Sequence, residues 1–291
     1  MTTIRSRITG LALGMLALSV LPPGGGSHGI AGREKALVID HRSVDEFDRL
    51  PDRYIQAAAG RRFLLRSASI GRNMDDGLNC LMNNFPDRPR RPFFCDRDIP
   101  PGQVVHASKY DRRNWVIELR GNPGWYGKVS DFVNRIGGMT PDESFDVVGF
   151  NFNYSDSPPG STSLERFFSR VPDARFGNVA NLEALEKEHP DTVFVWWSMA
   201  LPRRSSTGMQ QFNRQMRAYA VAHNKVFMDL ADIESHRPDG TACTDNEGNG
   251  IEAICQDYTN ERNAGHLNAL GSQRAAKAIW VLMARLAGWT D

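Results

Sequence analysis

Phe63-Leu64-Leu65-Arg66-Ser67-Ala68-Ser69-Ile70-Gly71 is the stretch on which the reading of this chain turns. An apolar run of strand length ends in a serine-bearing turn, and a helical pattern follows over Asn73–Leu81. A strand-to-helix turn exposes its side chain and aims the first helical N–H groups outward, where a developing oxyanion can be held. Ser69 is therefore a candidate nucleophile, provided a base can take its proton. The plainer role for a serine at this point is a helix N-cap. Ser67 lies on the strand and is expected to point away, and Gly71 permits close backbone approach.

Outward from this unit the same alternation repeats. Apolar runs at Trp115–Leu119, Phe145–Phe152, Thr192–Trp197 and Val226–Leu230 read as strands, rich in Val, Ile, Phe and Trp. They lack strict polar alternation, as strands covered on both faces do. Helical patterns lie between them at Val129–Ile136, Leu182–Glu188 and Met209–His223, the last with Ser205, Ser206 and Thr207 available as caps. Such alternation predicts an α/β domain with a parallel sheet of about five strands. In open sheets of this kind, function collects at the carboxyl ends of the strands. The last helix carries Ala275, Ile279, Leu282 and Leu286 at helical spacing and closes at Gly288. His266, in Gly265-His266-Leu267-Asn268, stands at its entrance and is the candidate general base among seven histidines. His28, His189, His223 and His236 sit in flexible stretches or at helix ends and are set aside; His41 and His106 show no nucleophile-like neighbour pattern, although either could support the site from behind.

Composition bounds the rest. Of 291 residues, 41% are hydrophobic and 24% charged, and the net charge is +1, which offers no electrostatic case for nucleic acid. Arg88, Arg90 and Arg91, and Arg203 with Arg204, read as solvated loops, with an anion-binding rim as the alternative. Arg5 and Arg7 precede an apolar stretch, Ile8 to Leu21, which Pro22-Pro23-Gly24 breaks. Residues 1–29 are expected to be a signal peptide, too short in apolar length to span a membrane, so the protein is expected to be secreted or periplasmic. Residues 30–60 read as an arm packing on the main domain, residues 61–291. Four cysteines in an exported chain suggest two disulfides, and the short loops favour Cys80–Cys95 and Cys243–Cys255. No cysteine pair has the spacing of a metal ligand set, and neither a metal nor an organic cofactor is expected.

Ser69-Ile70-Gly71 after a strand and His266 before the terminal helix resemble the first and last blocks of the SGNH/GDSL hydrolase superfamily. The resemblance is to a divergent bacterial branch whose nucleophile block reads Ser-Val-Gly. Arg112-Arg113-Asn114-Trp115, Phe150-Asn151-Phe152-Asn153-Tyr154 and Gly265-His266-Leu267-Asn268 sit where that branch has comparable segments, so the likeness spans roughly residues 45 to 289. It implies a flavodoxin-like αβα sandwich. It further implies Ser69 as nucleophile and His266 as base. The oxyanion hole would comprise the Ser69 N–H, Gly121 and Asn153, with Asn151 as runner-up.

The chain departs from that pattern at three places. Ser67-Ala68-Ser69 stands for Gly-Asp-Ser, no Gly-x-Asn-Asp block occurs, and Asn263 occupies the place of the aspartate in Asp-x-x-His. Asn263 can hold an imidazole but cannot stabilise the imidazolium, and the same exchange in a serine-protease triad costs about 10⁴ in turnover. Asp257 and Glu261, on the same loop, are the candidate substitutes. Arg66, Asn122 and Trp197 are candidate substrate contacts, with Arg66 alternatively pairing with Asp75 or Asp76. Trp125, Trp196 and Trp197 could line a sugar-binding cleft, with one of the last two expected in the core and the other in the cleft. The expected function is removal of an acyl group from a small-molecule or glycan ester. The alternative is a catalytically impaired glycan-binding or scaffolding protein of the same fold.

Overall fold

A computed structural model describes residues 35–82, 107–156 and 160–290. The expected leader, the Arg88–Arg91 cluster, His106 and the Cys95 half of one disulfide lie outside those residues. Six strands pair in parallel: β1 (Leu37–Ile39), β2 (Phe63–Ser67), β3 (Trp115–Leu119), β4 (Val147–Phe150), β5 (Val193–Trp197) and β6 (Val226–Met228). Their order is β1-β6-β5-β4-β2-β3. Without β1, that is the flavodoxin-like order. A sixth strand joins the roughly five expected. It comes from the N-terminal arm, whose Leu37 donates its N–H to Lys225 O at 3.0 Å and falls in register with Val226.

Side chains alternate across the strands and define two apolar layers. Phe63, Leu65, Val195, Trp197 and Met228 face one layer, closed by helices α1 (His41–Val44), α2 (Asp52–Gly60), α3 (Ser69–Leu81) and, late in the chain, α9 (Ala269–Leu286). Leu64, Val148, Phe194, Trp196 and Phe227 face the other, with α4 (Gly124–Gly137), α5 (Gly160–Phe167), α6 (Val179–Glu188) and α7 (Thr207–Ala222). A short α8 (Leu230–Ser235) follows β6. Each fully buried aliphatic or aromatic side chain here contributes about 1.5–3 kcal/mol of transfer free energy.

Two expectations about exposure are corrected by these layers. Trp196 and Trp197 are both buried, one in each layer, and Trp125 is buried too. β5 is a central strand covered on both faces, so neither neighbour can reach a cleft, and Trp197 does not touch substrate. Arg203, read as a solvated loop residue, is buried with its guanidinium donating to the Ile254 carbonyl. Arg204 does lie at the surface, paired with Glu247 at 2.8 Å.

The helices that carry the two ends of the candidate site lie against each other. A Cβ on Gly77 of α3 would stand 2.0 Å from the Ser272 carbonyl of α9, so only glycine allows this approach. The helix beginning with Ser69 and the helix beginning just after His266 are thereby held at a fixed separation. Gly288, at φ +98°, ends α9 as a left-handed residue after the Ala287 cap. Cys243 and Cys255 are joined by a disulfide, closing the loop ahead of the His266 segment.

Candidate active site

β2 ends at Ser67, Ala68 turns the chain at φ −118° and ψ −133°, and the helix begins at Ser69 itself. Ala68, not Ser69, is the N-cap, and no side chain caps that end. The first helical N–H groups have no partner within the helix, and the peptide dipoles add partial positive charge beside the Ser69 hydroxyl. Gly71 is required here, because a Cβ would meet the Ser67 side chain at 2.3 Å. Ser67 itself is buried and hydrogen-bonded to Asn151, so both are consumed in the floor of the turn.

β2 is where the chain changes direction in the sheet, with β3 added on one side and β4 on the other. Ligands of open α/β sheets bind at such a switch point. From β4 comes Phe150-Asn151-Phe152-Asn153, shorter as a strand than the sequence suggests because both asparagines leave the ladder. Asn153 Nδ2 donates toward Ser69 Oγ at 3.4 Å and to Asn122 Oδ1 at 3.1 Å. Its own N–H donates to Asp156 Oδ2 at 2.8 Å, and Asp156 is in turn paired with the Lys128 ammonium. Both members of that pair are buried, and burial pulls Lys128 below the usual lysine range. From β3 comes the exposed loop with Gly121 and Asn122, where a Cβ at Gly121 would meet open space.

The other half of the site comes from the segment ahead of α9. Glu261 Oε2 accepts the His266 main-chain N–H at 2.7 Å, and Glu261 Oε1 faces His266 Nδ1 at 2.8 Å. With Nδ1–H given to the carboxylate, Nε2 is the basic nitrogen. The Tyr154 hydroxyl lies 3.1 Å from Nδ1 and 3.4 Å from Nε2, its ring edge-on to the imidazole. Burial, then the charge of Glu261, pushes the Tyr154 phenol up. Beyond the histidine, the Leu267 N–H donates to Asn73 Oδ1 at 3.1 Å, one turn into the helix that Ser69 begins. Successive residues, Asn153 and Tyr154, thus touch the serine and the histidine.

Several expected residues are placed elsewhere. Asn263 is exposed, its side chain faces Asn246 at 3.4 Å, and its carbonyl accepts the Arg204 N–H. It does not hold the imidazole; Glu261 does. Asp257, the other candidate acid, is bonded to Arg237 at 2.7 Å. Arg66 is buried between Glu118, its partner across the β2–β3 ladder, and Asp131 on α4. With its guanidinium spent on those carboxylates it is no substrate anchor, and its partners are not Asp75 or Asp76. Asp75 is bonded to Arg112 at 2.5 Å. Asn122 does border the Ser69–Asn153 contact. Tyr154 and Asp156 carry no sequence signal beyond closeness to Asn153, and Lys128, 25 positions earlier, carries none.

No family model matches the chain, and no curated protein matches it in sequence. Solved structures do. One is a protein of the G-D-S-L family from Desulfitobacterium hafniense, 10% identical over 76% of this chain and 99% of that one, with a TM-score of 0.40. Another is a GDSL-like lipase from Bacteroides thetaiotaomicron, 12% identical over 81% of this chain and 93% of that one, TM-score 0.39. A third is a variant of an acetyl-xylooligosaccharide esterase from Geobacillus, 15% identical over 79% of this chain and 95% of that one, TM-score 0.35.

Proposed function

We propose that the chain is a serine hydrolase of the SGNH/GDSL kind that cleaves acyl esters. The observation that supports this most is the Asn153-Tyr154 pair, which bonds Ser69 on one side and His266 on the other, while Glu261 fixes the imidazole. In the proposed reaction His266 Nε2 takes the proton of Ser69 Oγ as that oxygen attacks the ester carbonyl carbon. The carbonyl oxygen becomes an oxyanion, met by the Ser69 and Gly121 N–H groups and Asn153 Nδ2. The imidazolium, stabilised by Glu261, gives its proton to the departing alkoxide. Water then repeats the sequence on the acyl-serine and frees the acid.

As the finer reading we propose an exported enzyme whose ester is borne by a carbohydrate or cell-surface glycan. The apolar leader expected over residues 1–29 would carry it to where such glycans lie. The second reading, a glycan-binding or scaffolding protein of the same fold, rested on Asn263 at the acid's position. Glu261 against Nδ1 removes that motive.

Hydrolysis of p-nitrophenyl acetate and of acetylated xylan by wild type, Ser69→Ala and His266→Ala tests the proposal. A fluorophosphonate probe should label wild type and not the serine variant. Turnover in both variants equal to wild type would overturn the assignment.

A further inference from the structure

On the side of the molecule where the arm meets α8, two histidines 195 positions apart in the chain stack face to face. His41 and His236 have ring centroids 4.1 Å apart and planes inclined by 11°. Between them in sequence, Asp232 offers a carboxylate to both: Oδ2 lies 2.6 Å from His41 Nδ1, and Oδ1 lies 3.3 Å from His236 Nδ1. Among the described residues, these three form the one group of His, Cys, Asp or Glu whose donor atoms all lie within 4.8 Å. The carboxylate and one imidazole come from positions four apart at the end of α8, and the second imidazole comes from the first residue of α1.

We propose that His41, Asp232 and His236 form a binding site for a divalent transition metal of the zinc class, clamping the N-terminal arm onto α8. Two imidazoles and one carboxylate suit zinc, cobalt or nickel, where calcium and magnesium want oxygen alone. A tetrahedral ion with bonds of ~2.0–2.1 Å holds its donors about 3.3 Å apart. The Asp232–His236 separation already has that value. Binding opens the His41–Asp232 contact slightly, swings one ring out of the stack so that both Nδ1 lone pairs converge, and releases Nδ1 protons. The rings have room for this, at 16% and 21% side-chain exposure for His41 and His236.

Outer groups are placed to support such an ion. The His41 main-chain N–H holds Asp232 Oδ2 at 2.8 Å, and Ser235 Oγ lies 3.2 Å from His236 Nδ1 while bonding Glu252 Oε1 at 3.1 Å. The Asp232 carbonyl, 2.9 Å from His236 Nδ1, is the partner that the metal replaces. Neighbouring cations are occupied: Arg217 pairs with Asp229, and Arg274 reaches the Ile233 and His41 carbonyls. A bridge between positions 191 apart selects the folded state, so bound metal raises the melting temperature.

The test uses chelator-stripped full-length protein at pH 7.5, titrated with Co²⁺ for its visible absorption and with Zn²⁺ by calorimetry and thermal melting. The expected result is saturable one-to-one binding with a rise in melting temperature. Binding should weaken at least tenfold in His236→Ala and vanish in His41→Ala/His236→Ala, with far-ultraviolet circular dichroism unchanged. His223→Ala, elsewhere on the surface, should bind as wild type. Absence of saturable binding up to millimolar metal, or undiminished binding by the folded double variant, overturns the proposal.

Discussion

Glu261 grips His266 at two points, accepting its main-chain N–H at 2.7 Å and facing its Nδ1 at 2.8 Å. One carboxylate thereby sets both the position of the residue and the orientation of the ring, although it lies five residues before the histidine and not three. The side chains of His266 and Glu261 are 40% and 37% exposed, so the pair adds little to stability in water. Its weight falls on the imidazolium formed during turnover. Glu261→Gln is expected to lower kcat by about 10²–10⁴-fold, by analogy with a triad aspartate, with little change in KM or melting temperature. Adding Asn263→Asp to that variant should not restore the rate, because position 263 faces Asn246. Steady-state kinetics on a chromogenic ester, paired with thermal melts, read both outcomes; rescue by the aspartate would place the acid at 263.

Lys128 and Asp156 form a buried pair whose shared oxygen also accepts the Asn153 N–H at 2.8 Å. Removing one partner of a buried pair strands a charge and costs about 3–5 kcal/mol, whereas replacing both with apolar groups of similar volume can be neutral. Lys128→Met should therefore be strongly destabilised, and Lys128→Met/Asp156→Leu should regain most of the loss in urea unfolding. The double variant should still hydrolyse esters about tenfold or more slowly, because Asn153 has lost the acceptor that fixes its turn. A double variant as fast as wild type would show that Asn153 is positioned without Asp156.

The parts legible in the sequence were those with local physical causes. Phe63–Ser67 is apolar and β-rich, and its turn residues follow directly, so the strand and its turn could be read locally, while the helix expected over Asn73–Leu81 begins four residues earlier, at Ser69. β1 was not legible as a strand, because Leu37–Ile39 is three residues long and is stabilised only by pairing with β6, nearly two hundred positions away. Glu261 was one of two acids on the right loop, and nothing local separated it from Asp257; only the fold turns one to His266 and the other to Arg237. Arg66 misled for the opposite reason. A charge at a strand's end looks available until the neighbouring strand supplies Glu118 in register and α4 supplies Asp131.

Gly265 and Gly121 border the site in opposite ways. A Cβ at Gly265 would come 2.1 Å from the Leu201 carbonyl oxygen and 2.9 Å from Pro202 Cα, both backbone. The two segments are joined there by Arg203 N–H to Ala264 O at 2.9 Å and Arg204 N–H to Asn263 O at 3.0 Å, so they cannot part freely. Gly265→Ala should cost about 1–3 kcal/mol as overpacking and should displace His266, lowering kcat beyond what the stability loss accounts for. Gly121→Ala meets open space and keeps its N–H, so it should melt within about 0.5 kcal/mol of wild type and retain its rate. Equal melting of the two variants would contradict the close contact at Leu201.

Glu234 supplies a pH signature from the same region. It is fully buried on α8, its Oε2 accepts the Leu201 N–H at 2.6 Å, and Oε1 has no hydrogen-bond partner among the described residues. Burial pushes this carboxyl well above its ordinary value of 4.5, so the folded state keeps a proton that the unfolded chain releases. The folded form binds more protons above pH 4.5, so its advantage is complete below that pH and is lost as pH rises through the folded-state value. Glu234→Gln cannot ionise. It should be less stable than wild type in acid, where its amide N–H₂ stands unpaired in place of Oε1, and should gain on wild type steadily as pH increases from about 5. Urea midpoints of the two proteins measured from pH 4.5 to 9 should converge or cross; parallel curves would mean that Glu234 is ionised in the fold.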